Sequence, residues 1–402
     1  MYRHRGETSL KSRRLSRKRS RTAIVTAAAA SVVAGVALVP NWTAGAAVTD
    51  DPTVNPATKA TFQRLADAVF TDRTQALVDG SGHGKRKQRT KRFSGRVRLS
   101  GKQSREERSA LAQLQGRKSR LAKLGEKYSA GHTSVKLDAT QVHGRRATVD
   151  VTETTSLTYR KVKGNEPKTT GFQAHHELTF RADRRGNWQL TRIKDTDDGY
   201  LAVNQVAQPT VTKADAATDD GPPDAPRAST SWPAPSRPKD FSSSGYDYKA
   251  MADYAAKYWN HYNPAYPDFN GAGAGGDCTN FVSQSLKAGG WKHVPGYTYD
   301  YHKWFGNSEI QSDSFVGVNE FSWFALSSKR VTSLSNVYQM DVGDVLQMDF
   351  NRDGSKDHSM IVTYRSRWGV PYVTYHSTNT YNRSVASLVA SYPNAAFYAY
   401  RT

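Results

Sequence analysis

The sequence predicts an α+β protein in which a helix-led, strand-rich block precedes a second α+β block built around one cysteine. Three observations predict it. Helical periodicity over Ala57–Leu77 gives way to period-two alternation over Ala147–Thr154, so helix and antiparallel strands follow one another rather than alternating as in a parallel chain. Residues 206–243 carry seven prolines and separate two aromatic-bearing blocks. Beyond them, a glycine-rich approach opens onto Cys278 at the start of a short helical pattern.

The first 46 residues have the form of an export signal. Nine Lys or Arg lie between Arg3 and Arg21, an apolar run covers Thr22 to Val39, and Ala44-Gly45-Ala46 is a small-residue cleavage site. A secreted chain, by the Sec or the Tat route, is expected, with no membrane attachment after cleavage. The single cysteine excludes an intramolecular disulfide and marks a lone thiol as reactive group or packed hydrophobe.

Residues 47–205 read as a small α+β domain. Phe62, Leu65, Ala66 and Phe70 form a helical stripe. A basic segment, 85–127, holds sixteen Lys or Arg against three acids, and accounts for the charge excess of the mature chain. Phe172–Ala182 and Asn187–Ile193 read as a hairpin turned at Asp183-Arg184-Arg185-Gly186. Helix followed by antiparallel sheet is the outline of a cystatin-like or nuclear-transport-factor-like cone. Residues 206–243 read as an extended tether, too poor in apolar groups to offset chain entropy.

Residues 244–402 carry the chemistry. Asp277 is a good N-cap residue, Phe281, Val282, Ser285 and Leu286 keep one helical face, and Gly289-Gly290 end the helix. Cys278 in the first turn is a nucleophile candidate: helix dipole and free amides favour a thiolate, depressing its pKa below ~8.5 and offering oxyanion donors near Asp277, Thr279 and Asn280. Strands are expected over Asp344–Phe350, His358–Tyr364, Tyr372–Ser377 and Phe397–Tyr400. Neighbouring strands can set His358, as base, beside His376, with Asn379 the alternative third residue that orients the ring. Asp349–Gly354 lacks the closing Glu of a calcium loop and reads as a hairpin turn. No metal or other cofactor is expected.

Asp277-Cys278-Thr279-Asn280-Phe281-Val282-Ser283-Gln284, Asp357-His358-Ser359-Met360-Ile361-Val362 and Tyr375-His376-Ser377 resemble the "putative amidase" domain of secreted bacterial proteins, a branch of the papain-like clan that includes NlpC-type peptidases. The resemblance implies a papain-like core, a cysteine-bearing helix packed on a small antiparallel sheet. It also implies amide hydrolysis through an acyl-enzyme, with Cys278 as nucleophile, His358 as base and His376 as third residue. Peptidoglycan peptide bonds are the usual clan substrate. A second reading is a binding protein that holds anionic cell-wall polymers through residues 85–127 by charge, without specific nucleic-acid recognition. A monomer is expected.

Overall fold

A computed structural model describes residues 54–80, 98–197, 201–206, 225–270 and 276–402. The expected export signal, the front of the basic segment, residues 207–224 of the tether and Gly271–Gly275 lie outside these residues. Among the described residues no helix is long and apolar enough to cross a membrane.

Helix α1 (Pro56–Leu77) starts where sequence capping places it: Asn55 Oδ1 accepts from Thr58 N at 2.8 Å, and Pro56 fills the first turn. Its apolar stripe packs on β2 (Tyr128–His143), β3 (Arg146–Tyr159), β4 (Thr169–Ala182) and β5 (Trp188–Asp195). Phe62 meets Phe180 at 4.3 Å and Trp188 at 5.1 Å between ring centroids. Much of the basic segment is structured. After β1 (Arg98–Leu99), residues Gly101–Lys123 form α2, capped by Ser100 on Gln103 N. Arg73 of α1 holds Glu107 of α2 by two bonds of 2.9 and 2.6 Å, and Arg117 and Arg120 donate to the carbonyls of Val203 and Ala390.

The carboxyl-terminal half adds α3 (Tyr248–Tyr258), α4 (Cys278–Ala288), α5 (Asp313–Val316), α6 (Val318–Ser327) and α7 (Val385–Ser391). Its strands are β6 (Thr332–Leu334), β7 (Val345–Asp349), β8 (His358–Arg365), β9 (Pro371–Tyr375), β10 (Thr380–Ser384) and β11 (Ala396–Arg401). The two halves share one sheet, in the order β1-β5-β4-β10-β9-β8-β7-β11-β6, with β3 and β2 continuing from β4. The fold is thus mixed α and β with a large, mainly antiparallel sheet. Strand periodicity sorts its two faces. Val345 and Ile361 pack with Phe281 and Val282 of α4, whereas Leu346, Met348, Met360 and Val362 pack with Leu114 and Leu121 of α2 and Leu388 of α7.

The carboxyl-terminal end of the expected tether is built into the fold rather than extended. Ala228 N donates to Phe397 O at 2.7 Å, and Lys239 Nζ donates to Asp344 Oδ1 at 2.7 Å and to Val342 O at 2.8 Å. Burial outweighs the Asp344 charge and pushes the Lys239 pKa down to about 8. Removing one member of such a pair strands the other. Lys239→Met is expected to lower stability by ~3 kcal/mol in urea unfolding; a loss below ~0.5 kcal/mol would mean that Arg401, 3.0 Å from Asp344, suffices alone.

Candidate active site

Cys278 is the first residue of α4 and is 2% exposed. Gly276, at φ +93°, turns the chain into the helix, and Gly289 ends it hard against α3, where a Cβ would lie 2.3 Å from Met251 Cγ. Asp277 does not cap the helix with its side chain. Its buried carboxylate binds sideways instead: Oδ1 accepts from Asn280 Nδ2 at 2.8 Å and Phe269 N at 3.3 Å, and Oδ2 lies 2.6 Å from His376 Nδ1.

The thiol differs from the sequence expectation. Burial pushes the Cys278 pKa up, outweighing the hydrogen bonds from Ser359 N–H and Thr279. Helix-end placement favours a thiolate, but a site closed to solvent penalises the charge more. Thr279 Oγ1 lies 3.8 Å from Cys278 Sγ and 2.9 Å from Ser359 Oγ, which also accepts from Gln347 Nε2 at 3.1 Å.

The expected pairing of His358 with His376 does not occur. Met348↔His358 and Leu346↔Met360 are register partners, which puts His358 on the sheet face away from α4. Its ring stands edge-on to Tyr375 at 5.0 Å; burial, reinforced by the Arg383 charge, pushes its pKa down to about 3 and keeps it neutral. Ser359, the next residue, faces the cysteine helix. Strands β8 and β9 are neighbours, with Ile361↔Thr374 in register, and continuing that register brings His376 level with Ser359. The histidine on the cysteine's face is therefore His376.

His376 is stacked on Phe281 of α4 at 4.0 Å and lies tilted against Tyr262 at 4.2 Å between ring centroids. Nδ1 meets Asp277, and Nε2 meets Tyr258 O at 2.7 Å. Both partners are acceptors, so each ring nitrogen is engaged by the protein as placed, and one contact must open before the ring can meet a substrate. Ser377 and Thr378 follow at φ +64° and +60°, two successive left-handed residues, and Ser377 Oγ accepts from Asp277 N at 3.2 Å.

Thr279, Asn280 and Asn379 are buried and spent on neighbours. Asn280 Nδ2 donates to Pro267 O at 2.9 Å, and Asn379 Oδ1 accepts from Tyr262 at 3.0 Å. Sequence reasoning missed Ser359 and the Asp277–His376 pair. Counting alternation back from Ile361 places Ser359 on the helix side; no local signal ties residue 277 to 376. Among the described residues no group of three or more His, Cys, Asp or Glu could hold a metal ion. Asp349 turns its carboxylate to Arg352 N and Gly354 N, its own hairpin.

Two curated relatives are similar in sequence. "Uncharacterized protein YhbB" of Bacillus subtilis (strain 168) is 32% identical over 142 residues, 34% of this chain and 44% of the relative. "Uncharacterized protein YjcM" of the same strain is 32% identical over 148 residues, 34% of this chain and 32% of the relative. The matched region thus spans less than half the length of either relative. Among solved structures, the crystal structure of the intermembrane space region of chloroplast protein ARC6 overlaps 33% of this chain and 95% of its own, at 16% identity and a TM-score of 0.20, too slight to carry an argument. Residues 245–400, the segment holding Cys278, His358 and His376, match the family described as "Putative amidase domain".

Proposed function

We propose that this protein is an exported thiol amidohydrolase of cell-wall peptides, with Cys278 as nucleophile and His376, held by Asp277, as proton carrier. The observation that carries the reading is the placement of the chain's single thiol at a helix N-terminus, one residue after the aspartate that grips an imidazole. The Cys278 thiolate adds to the amide carbonyl, and helix-end amides receive the oxyanion. The amine leaves with a proton from the His376 imidazolium. Water then adds to the thioester, gives its proton to the same ring, and frees the acid and the thiolate. Because burial raises the thiol pKa, turnover is expected to climb with pH as the thiol ionises. His358, the base expected from sequence, is assigned to packing.

The test is release of new amino groups from peptidoglycan fragments by the mature chain. Cys278→Ala is expected to lower the rate at least ~1000-fold; equal rates in both chains would sink the reading. A specific observation also favours polyanion binding: α2 exposes Lys102, Arg105, Arg108, Arg120 and Lys123. That contact would tether the enzyme to an anionic wall, and in the non-catalytic alternative it would be the whole function.

A further inference from the structure

Two segments bordering Cys278 are anchored in the amino-terminal half. One is His376–Asn379. Asn379 O accepts from Gln173 N at 2.9 Å, and the pairing continues as Thr380↔Phe172 and Tyr381↔Gly171 between β10 and β4. Thr170 Oγ1 donates to Tyr381 O at 2.9 Å and Tyr159 Oη to Asn382 O at 2.8 Å. The other is the segment entering residues 271–275. Asn270 Nδ2 donates at 3.1 Å to Asp197 Oδ1, a nearly buried carboxylate that also receives His175 N and meets His175 Nδ1, each at 2.7 Å. Phe269, the residue before Asn270, donates its N–H to Asp277, and Ser377 accepts from the N–H of Asp277. The residue before the nucleophile is thus gripped by two segments, each held from outside its own half.

We propose that the amino-terminal half is a built-in positioning partner of the thiol site, acting through Asp197 and the β4 edge at Gly171. The proposal rests on Cys278 being the reactive thiol. Isolated β10 is five residues long and irregular in its pairing with β9, with a register shift between Thr380 and Arg383. Paired also to β4, it can hold the left-handed pair Ser377-Thr378 against Asp277. Gly171 is required for this approach, because a Cβ there would lie 2.6 Å from the Tyr381 ring and 2.7 Å from Thr155 O.

The experiment is iodoacetamide alkylation of Cys278 in the full mature chain, with thermal unfolding run in parallel. Asp197→Ala and Gly171→Val are expected to speed alkylation ~tenfold, since the 2% exposed thiol loses the supports that close its surroundings. Asp197→Asn keeps an oxygen for Asn270 and is expected to stay within ~threefold of the parent. Alkylation equal in all four chains overturns the proposal. If Gly171→Val loses cooperative unfolding, Asp197→Ala against Asp197→Asn decides. Alkylation needs no amide substrate, so a chain inert toward amides whose thiol still responds removes the hydrolase reading and keeps the positioning one. An active chain with unresponsive alkylation does the reverse.

Discussion

His376→Gln is expected to lower amide turnover by ~10²–10⁴-fold, the usual worth of a positioned proton carrier. Glutamine keeps some of the ring's volume and can still donate to Asp277 or Tyr258 O, but it cannot move a proton. His358→Gln is expected to cost less than ~tenfold in turnover, with its main effect on stability, because the ring packs edge-on to Tyr375 on the far face of the sheet. Thermal unfolding separates the two kinds of loss. The opposite ranking, with His358 essential and His376 dispensable, would return the base to the Asp357-His358 motif and require β8 to present its other face during catalysis.

His176→Leu is expected to destabilise the protein by ~3–5 kcal/mol, as a buried carboxylate is stranded without its cation. His176 is fully buried, with Nε2 3.1 Å from Glu153 and Nδ1 2.9 Å from Asp195, and it stacks on Phe70 at 4.4 Å. Burial alone would lower its pKa; the hydrogen bonds and charges of Asp195 and Glu153 together outweigh burial and push it up to about 9. The unfolded value is ~6.5, so the contribution is fully present below that pH and is lost as pH rises through about 9. The shift corresponds to ~3 kcal/mol. Between pH 6.5 and pH 9.5, urea unfolding is expected to show the parent losing about that much more stability than His176→Leu, a comparison in which the opposite contribution of Lys239 cancels. The same pH dependence in the parent and in His176→Leu would mean that the imidazole is neutral in the fold.

Much of this arrangement was legible in the sequence. Period-3.6 and period-two patterns located α1, β3, β4, β5, β7, β8, β9 and β11 to within a few residues. Gly276, Cys278 and Gly289-Gly290 marked the cysteine-bearing helix, because glycine at a turn and apolar spacing along a helix are local properties. The 16-residue β2 was missed: its Ser, Thr, Ala and Gly carry little alternation, and its place is set by pairing along nearly the whole of β3.

Four features were decided only by tertiary structure. β10 is polar and short, and one of its partners, β4, lies some two hundred residues away in sequence. The face on which His358 sits depends on a register of one residue between β7, β8 and β9. Asp277 had the composition of a cap, yet its carboxylate goes to His376, 99 residues on. The thiol at a helix end invited a low pKa, and burial reversed the direction. Spacing along the chain determined which residues could do chemistry, because helices and strands repeat locally. Strand register and burial determined which of them meet, because both arise from pairings and packing between segments far apart in sequence.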